Sequence, residues 1–274
     1  MSGARGVGPR GTALLGLLLA SGCATTPPVA PGPAPAQSLP PEADAPRSDS
    51  FRALSIATLP PDDPAAAAWR RAPTFEVPLF PQQMAMPELA RASVQSLTAQ
   101  ALVDGERIAF RLSWNDPAPD LVIGVGRFAD QVALQLPLGE EPAPTMGSPG
   151  GRVQILHWSA AWQHDLEAGG ASPAATAPGL PRGTHRTQPV EELVAEGFGT
   201  LTPQAASATT GAGAYDGKRW AVVFSRPLST NDPDDRQLRR GETVLVAFAL
   251  WQGGDGNVGG RKHWSPWQEL ELPR

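Results

Sequence analysis

Among the residues able to do chemistry, the four histidines come first: His157, His164, His185 and His263. None pairs with another at the His-x-x-x-His spacing that puts two imidazoles on one helix face. No Gly-x-Ser-x-Gly elbow is present to expose a nucleophilic serine. The paired carboxylates Asp62-Asp63, Glu140-Glu141, Glu191-Glu192 and Asp234-Asp235 sit in polar runs and read as solvated faces. Two other segments have an unusual make-up. One runs Pro144-Thr145-Met146-Gly147-Ser148-Pro149, then Val153 to Trp158 and Trp162. The other runs Trp251-Gln252-Gly253-Gly254, then Gly259-Gly260-Arg261-Lys262-His263-Trp264 and Trp267. Each sets a soft or basic donor in a Gly/Pro loop beside tryptophans. Bulky aromatic walls with small residues between them suit a flat, apolar cofactor.

These donors need strands to hold them. Ile108, Phe110, Leu112 and Trp114 alternate with Arg107, Ala109, Arg111 and Ser113, the two-residue period of a half-buried strand. Val94 to Val103 precedes it across Asp104-Gly105, a hairpin signal that predicts positive φ at both turn residues. Further strands are predicted over 121–125, 131–136, 153–158, 219–224, 243–251 and 267–272. From Ala101 onward no long helical period is present, and Val190 to Glu196 allows only a short helical turn. Short strands with Gly/Pro punctuation predict an all-β, immunoglobulin-like antiparallel β-sandwich with long loops. The Gly/Ala/Pro/Thr-rich stretch from Glu167 to Gln188 reads as a long surface loop.

The same segments carry a family resemblance. Val77-Pro78-Leu79-Phe80-Pro81-Gln82, Phe110 to Pro117, Phe128 to Pro137 and Met146-Gly147-Ser148-Pro149 occur in order. Trp220 to Leu228 and Val246 to Trp251, leading to Gly260-Arg261-Lys262, then follow. Order and spacing resemble the haem-binding γ subunits of the type II dimethyl-sulfoxide-reductase family, the group of ethylbenzene and dimethyl sulfide dehydrogenases and of chlorate and selenate reductases. The resemblance implies one non-covalent haem b in a β-sandwich, with Met146 and Lys262 as axial iron ligands and Trp158, Trp251, Trp264 and Arg261 around it. Arg226 and Arg152 are further candidates for the propionates. A neutral thioether favours ferrous iron, and burial favours the neutral lysine amine that ligation requires. Intrinsic chemistry favours the adjacent His263, and neighbours on a strand face opposite ways, so only one of the two can serve. The resemblance assigns Lys262. It also implies a non-catalytic electron-transfer role between iron–sulfur and molybdenum subunits and a periplasmic c-type cytochrome. Ser159 departs from the family pattern, which tends to carry lysine after the tryptophan.

The N-terminus bears on location. Arg5 and Arg10 precede an apolar run from Ala13 to Ala20, shorter than the ~20 residues that span a bilayer. It reads as a signal peptide over residues 1–22. Leu18-Leu19-Ala20-Ser21-Gly22-Cys23 resembles a lipobox, so Cys23 is expected to be lipidated and to begin a Pro/Ala-rich tether over 23–50. Ala24 after Cys23 is compatible with sorting to the outer membrane, on its periplasmic side. Residues 51–274 form the folded domain. As Cys23 is the only cysteine, disulfides, iron–sulfur clusters and covalently attached haem are excluded. A net charge of −5 argues against nucleic acid. The rival to the haem reading is a carbohydrate-binding-like envelope lipoprotein that presents its eight tryptophans as open sugar platforms.

Overall fold

The computed structural model describes Leu39 and residues 45–139, 142–169 and 186–274. The expected signal peptide, the lipidation site Cys23, most of the tether and the middle of the Glu167–Gln188 stretch lie outside the described residues.

Fourteen strands form the framework of the described chain: β1 (Phe51–Ser55), β2 (Phe75–Pro78), β3 (Phe80–Pro81), β4 (Ser96–Val103), β5 (Arg107–Asn115), β6 (Gln131–Pro137), β7 (Val153–Ser159), β8 (Val190–Ala195), β9 (Thr202–Pro203), β10 (Thr210–Tyr215), β11 (Arg219–Pro227), β12 (Thr243–Trp251), β13 (His263–Trp264) and β14 (Gln268–Glu271). One short helix, α1 (Ala160–Glu167), follows β7. The strand path runs β10-β11-β5-β4-β1-β14-β12-β6-β7-β8-β9. Strand β1 runs parallel to both its neighbours, β4 and β14, and the other strand pairings are antiparallel. The expected all-β sandwich is present, with its two layers joined through β1 and β14 into one curled sheet.

The curl brings β10-β11-β5-β4 against β12-β6-β7-β8. Phe110, Leu112, Trp114, Val222 and Phe224 from the first layer meet Leu134, Leu136, Leu156, Trp158, Phe248 and Leu250 from the second. The two-residue period therefore sets what is left on the second layer's outer face, and that face carries the site.

Four local readings change. Strand β5 is covered on both faces rather than half-buried: Arg111 lies under the Trp69–Ala72 turn and donates to Pro64 O and Gln100 Oε1. The Asp104–Gly105 hairpin forms, but neither residue has positive φ. The Asp104 carboxylate instead caps the turn by accepting the N–H groups of Glu106, Arg107 and Leu59. Residues 121–125 are loop, tied down where Asp120 N–H donates to Asp130. Val190–Ala195 is strand β8, paired along its length with β7. Helix α1 lacked a sequence signal because only Ala160 and Ala161 are buried in it. Gln163 docks it, taking the Trp158 indole N–H and bridging both backbone groups of Gly213.

Candidate functional site

A cavity of about 440 Å³ lies on the outer face of the second layer, within the ordinary size range of a cofactor site. Four strands line it: Ala133, Leu134 and Gln135 of β6, Ile155 and His157 of β7, Leu193 of β8, and Ala247, Phe248, Ala249 and Trp251 of β12. Ala133 and Ala249 are direct cross-strand partners. Their single methyl groups make a flat, low floor where larger side chains would fill the space. Loops bearing Met146, Phe198, Leu201, Gly259 and Met86 form the rest of the wall.

Met146 enters from the loop between β6 and β7. Its φ of 74° is the only positive value at a non-glycine among the described residues. Such backbone persists where the surroundings impose it, and it clusters at functional sites. Here Gly197 N–H donates to Met146 O at 2.8 Å and Gly147 N–H to Ala143 O at 3.1 Å. Gln135 also holds the preceding Pro144 carbonyl. Gly147 has to be glycine: its φ is 81°, and a Cβ would come within 2.5 Å of Gly151 O. Met146 packs against the Ala133, Ile155, Leu193 and Trp251 cluster.

Lys262 enters from the loop before β13. It is 7% exposed, and burial pulls its amine from 10.5 down to about 8. Among the described residues its Nζ has no hydrogen-bond or ion-pair partner; it lies 5.2 Å from the Trp251 ring centroid. A buried lysine without a carboxylate is costly unless the amine is neutral or finds a partner. Lys262 is the unexplained polar group of this cavity.

His263 faces the other way, as the alternation along a strand requires. Its Nε2 accepts the N–H groups of Ser93 and Val94 at 3.0 and 3.2 Å, and Nδ1–H donates to Leu250 O at 3.1 Å. Both nitrogens are engaged, in the neutral tautomer, which burial favours by lowering its pKa. Trp251 and Trp264 line the cavity, and Trp251 donates its indole N–H to Gly259 O. Trp158 does not: it follows His157 on β7, so it points into the core and stacks edge-on against Trp220. Arg261 also stands outside the lining and donates to Gly256 O. Arg152 pairs with Asp234, and Arg226 is buried against Gln154 and Arg236 O. His157, one of the four histidines, also lines the cavity. Its nitrogens face Gln131 Oε1 at 2.9 Å and Glu191 Oε1 at 3.0 Å. Although burial raises Glu191, the hydrogen bond from His157 and the Arg186 guanidinium hold its carboxyl below the usual range.

Among the described residues no set of three or more His, Cys, Asp or Glu side chains could hold a metal ion. The donors facing the cavity are instead a thioether and an amine. None of the tryptophans is an exposed platform.

The model of the family described as ethylbenzene dehydrogenase matches residues 66–188 and 193–263. This chain belongs to that family. The first matched stretch carries Met146, and the second carries Trp251 and Lys262. The chain is 32% identical over 210 residues to a protein named respiratory nitrate reductase heme subunit ORF7 from Haloferax mediterranei, covering 76% of this chain and 67% of that one. It is 30% identical to chlorate reductase subunit gamma from Ideonella dechloratans, covering 91% of each. With dimethylsulfide dehydrogenase subunit gamma from Rhodovulum sulfidophilum the identity is 28%, over 74% of this chain and 71% of that one. These matches bear out the resemblance to γ subunits of type II dimethyl-sulfoxide-reductase-family enzymes. Among solved structures, a family 9 carbohydrate-binding module from Caldicellulosiruptor kristjanssonii aligns at a TM-score of 0.42 and 10% identity, over 83% of this chain and 93% of that one. A likeness that distant says nothing about ligands.

Proposed function

We propose that the cavity holds one non-covalent haem b, with Met146 and Lys262 as its axial donors. The protein would then be a non-catalytic electron-transfer subunit linking the iron–sulfur subunit of a molybdenum oxidoreductase to a c-type cytochrome. We place it on the periplasmic side of the envelope, tethered by a lipid at Cys23. When bound, the haem supplies a one-electron ferrous–ferric couple. The observation that carries this reading is the convergence on one largely apolar cavity of Met146 and the buried Lys262, whose amine has no hydrogen-bond or ion-pair partner among the described residues. The relatives named as a heme subunit and as gamma subunits support it.

Each residue has a definable part. Met146 offers a neutral, soft sulfur, which stabilises the reduced state and raises the potential. Lys262 offers nitrogen without a permanent charge once its proton is lost, and burial makes that loss easier. Ala133 and Ala249 keep the floor low, while Trp251 and Trp264 form walls. Held by Met146 and Lys262, a bound haem would supply one-electron transfer rather than substrate chemistry. The sugar-binding alternative needs exposed aromatic platforms. Trp251, at 9% exposure, and the fully buried Trp158 do not provide them.

The test is an absorption spectrum of the mature protein expressed with a haem supply, taken oxidised and then dithionite-reduced. Sharp reduced α and β bands from an extractable haem are expected. Met146→Ala is expected to lose the six-coordinate low-spin spectrum. A colourless protein that also fails to take up added haemin would overturn the reading.

A further inference from the structure

Among the described residues Lys262 Nζ has no hydrogen-bond or ion-pair partner, so its direction is set by its backbone, and that backbone is fastened by β3. Strand β3 pairs with β13, Phe80 opposite Trp264 and Pro81 opposite His263. The next residue, Gln82, is 1% exposed and lies across from Lys262. Its backbone N–H donates to Lys262 O at 3.0 Å. Its side-chain Nε2 donates to Gly260 O and to Ala85 O, both at 2.8 Å. Its Oε1 accepts the N–H groups of Met84 at 2.5 Å and Ala85 at 2.8 Å. One planar amide thus joins two loops that the sequence separates widely: the Lys262 loop and the Met84–Pro87 segment, which contributes Ala85 and Met86 to the cavity wall. Gly260 lets them meet, since a Cβ there would lie 2.9 Å from Pro87 O and 3.3 Å from Gln82 Nε2. Trp251 holds the adjacent Gly259 carbonyl.

We infer that Gln82 is the positioning residue for Lys262, clamping its loop so that the amine stays aimed into the cavity. This rests on the haem reading above and deepens it. The need for such a clamp is physical. A lysine ammonium is strongly hydrated, and its flexible stem lets it swing out to water whenever its loop loosens. The residue type is also specific. Only an amide gives two donors and an acceptor in this plane; glutamate has no donor for Gly260 O, and methionine has neither.

The experiment compares the haem-loaded wild type with Gln82→Met and Gln82→Glu, titrating each with imidazole, which competes for the lysine's position. Both variants are expected to take up haem. Imidazole should convert them at about ten-fold lower concentration than wild type, the scale of unmaking a buried hydrogen bond. Adding Gln82→Met to Lys262→Ala should change the midpoint little, because the clamp acts through that lysine. Wild-type imidazole resistance in both variants, or full additivity with Lys262→Ala, would overturn the inference. If the Gln82 variants fail to fold, Gly260→Ala presses on the same clamp from the other side and is expected to give the same sensitivity; wild-type resistance there refutes it equally. A wild type that binds no haem refutes the parent reading, and this inference with it. A haem-bound wild type with unaffected variants refutes the clamp alone.

Discussion

If Lys262 ligates iron, its affinity must carry the cost of deprotonating an amine, and burial sets that cost. At pH 7 an ordinary lysine, at 10.5, lies far above the solution, whereas at about 8 the gap is only about one unit. Burial therefore removes roughly 3 kcal/mol from the price of ligation, on the order of 100-fold in affinity. The sign follows from linkage. Below pH 8 the free protein holds a proton that the ligated amine has lost, so binding releases one proton and strengthens with pH; above 8 it levels off. The assay is haemin titration of the apo-protein between pH 6 and 10. Apparent affinity should rise about ten-fold per unit up to about pH 8 and then flatten, and Lys262→Met should abolish the slope. A rise continuing to pH 10 would show that burial does not depress this lysine. A flat wild-type profile would show that Lys262 is not the donor.

The other consequences are testable on the same protein. His263→Ala should keep the low-spin spectrum yet lose about 2–4 kcal/mol of stability in denaturant titration, because it leaves a cavity where the buried ring packs and removes the acceptor of the Ser93 and Val94 N–H groups. Ala133→Leu raises the cavity floor and should abolish haem uptake, with a stability change of about 1 kcal/mol or less, since it fills space that is open in the apo-protein. Asp130, raised by burial and by the adjacent Asp116 charge to about 8, holds a proton in the folded state that the unfolded chain releases near 4. Stability should therefore fall as pH rises from about 4 to 8, and Asp116→Asn should reduce that fall by about 1–3 kcal/mol, read from melting curves at several pH values.

The strands that face one another across the core were legible because their apolar residues recur every second position. Residues 243–251 form a strand with the predicted bounds, and 131–136 and 219–224 fall within strands β6 and β11. What misled were segments whose structure is imposed from outside. Val190–Ala195 carries two adjacent glutamates, yet it is a strand because β7 offers it a full ladder and the buried Glu192 finds donors in Ala208 N–H and the Thr209 hydroxyl. Helix α1 exists because Gln163 ties it to Trp158 and Gly213, which are distant or ambiguous in sequence. Residues 121–125 look like a strand and are held as loop by the Asp120–Asp130 bond.

At the site, composition pointed to two loops that the structure brings to one cavity, and parity decides which side chains within them face it. Met146 and Lys262 stand out among glycines and tryptophans, whereas Trp158, close to Met146 in sequence and expected beside the cofactor, lies in the core because of the alternation along β7. Since His157 faces the cavity, Trp158 must face the core. The same rule separates Lys262 from His263 and picks Ala133, Ala247 and Ala249 as the floor, small residues whose opposite-face neighbours Val132, Leu134, Phe248 and Leu250 build the sandwich interior. The sheet thus buries one face in its own core and leaves a cavity floored by alanines on the other, with Met146 on a turn of positive φ and Lys262 beside the Gln82 amide at its edge, which is why the proposed haem is placed there.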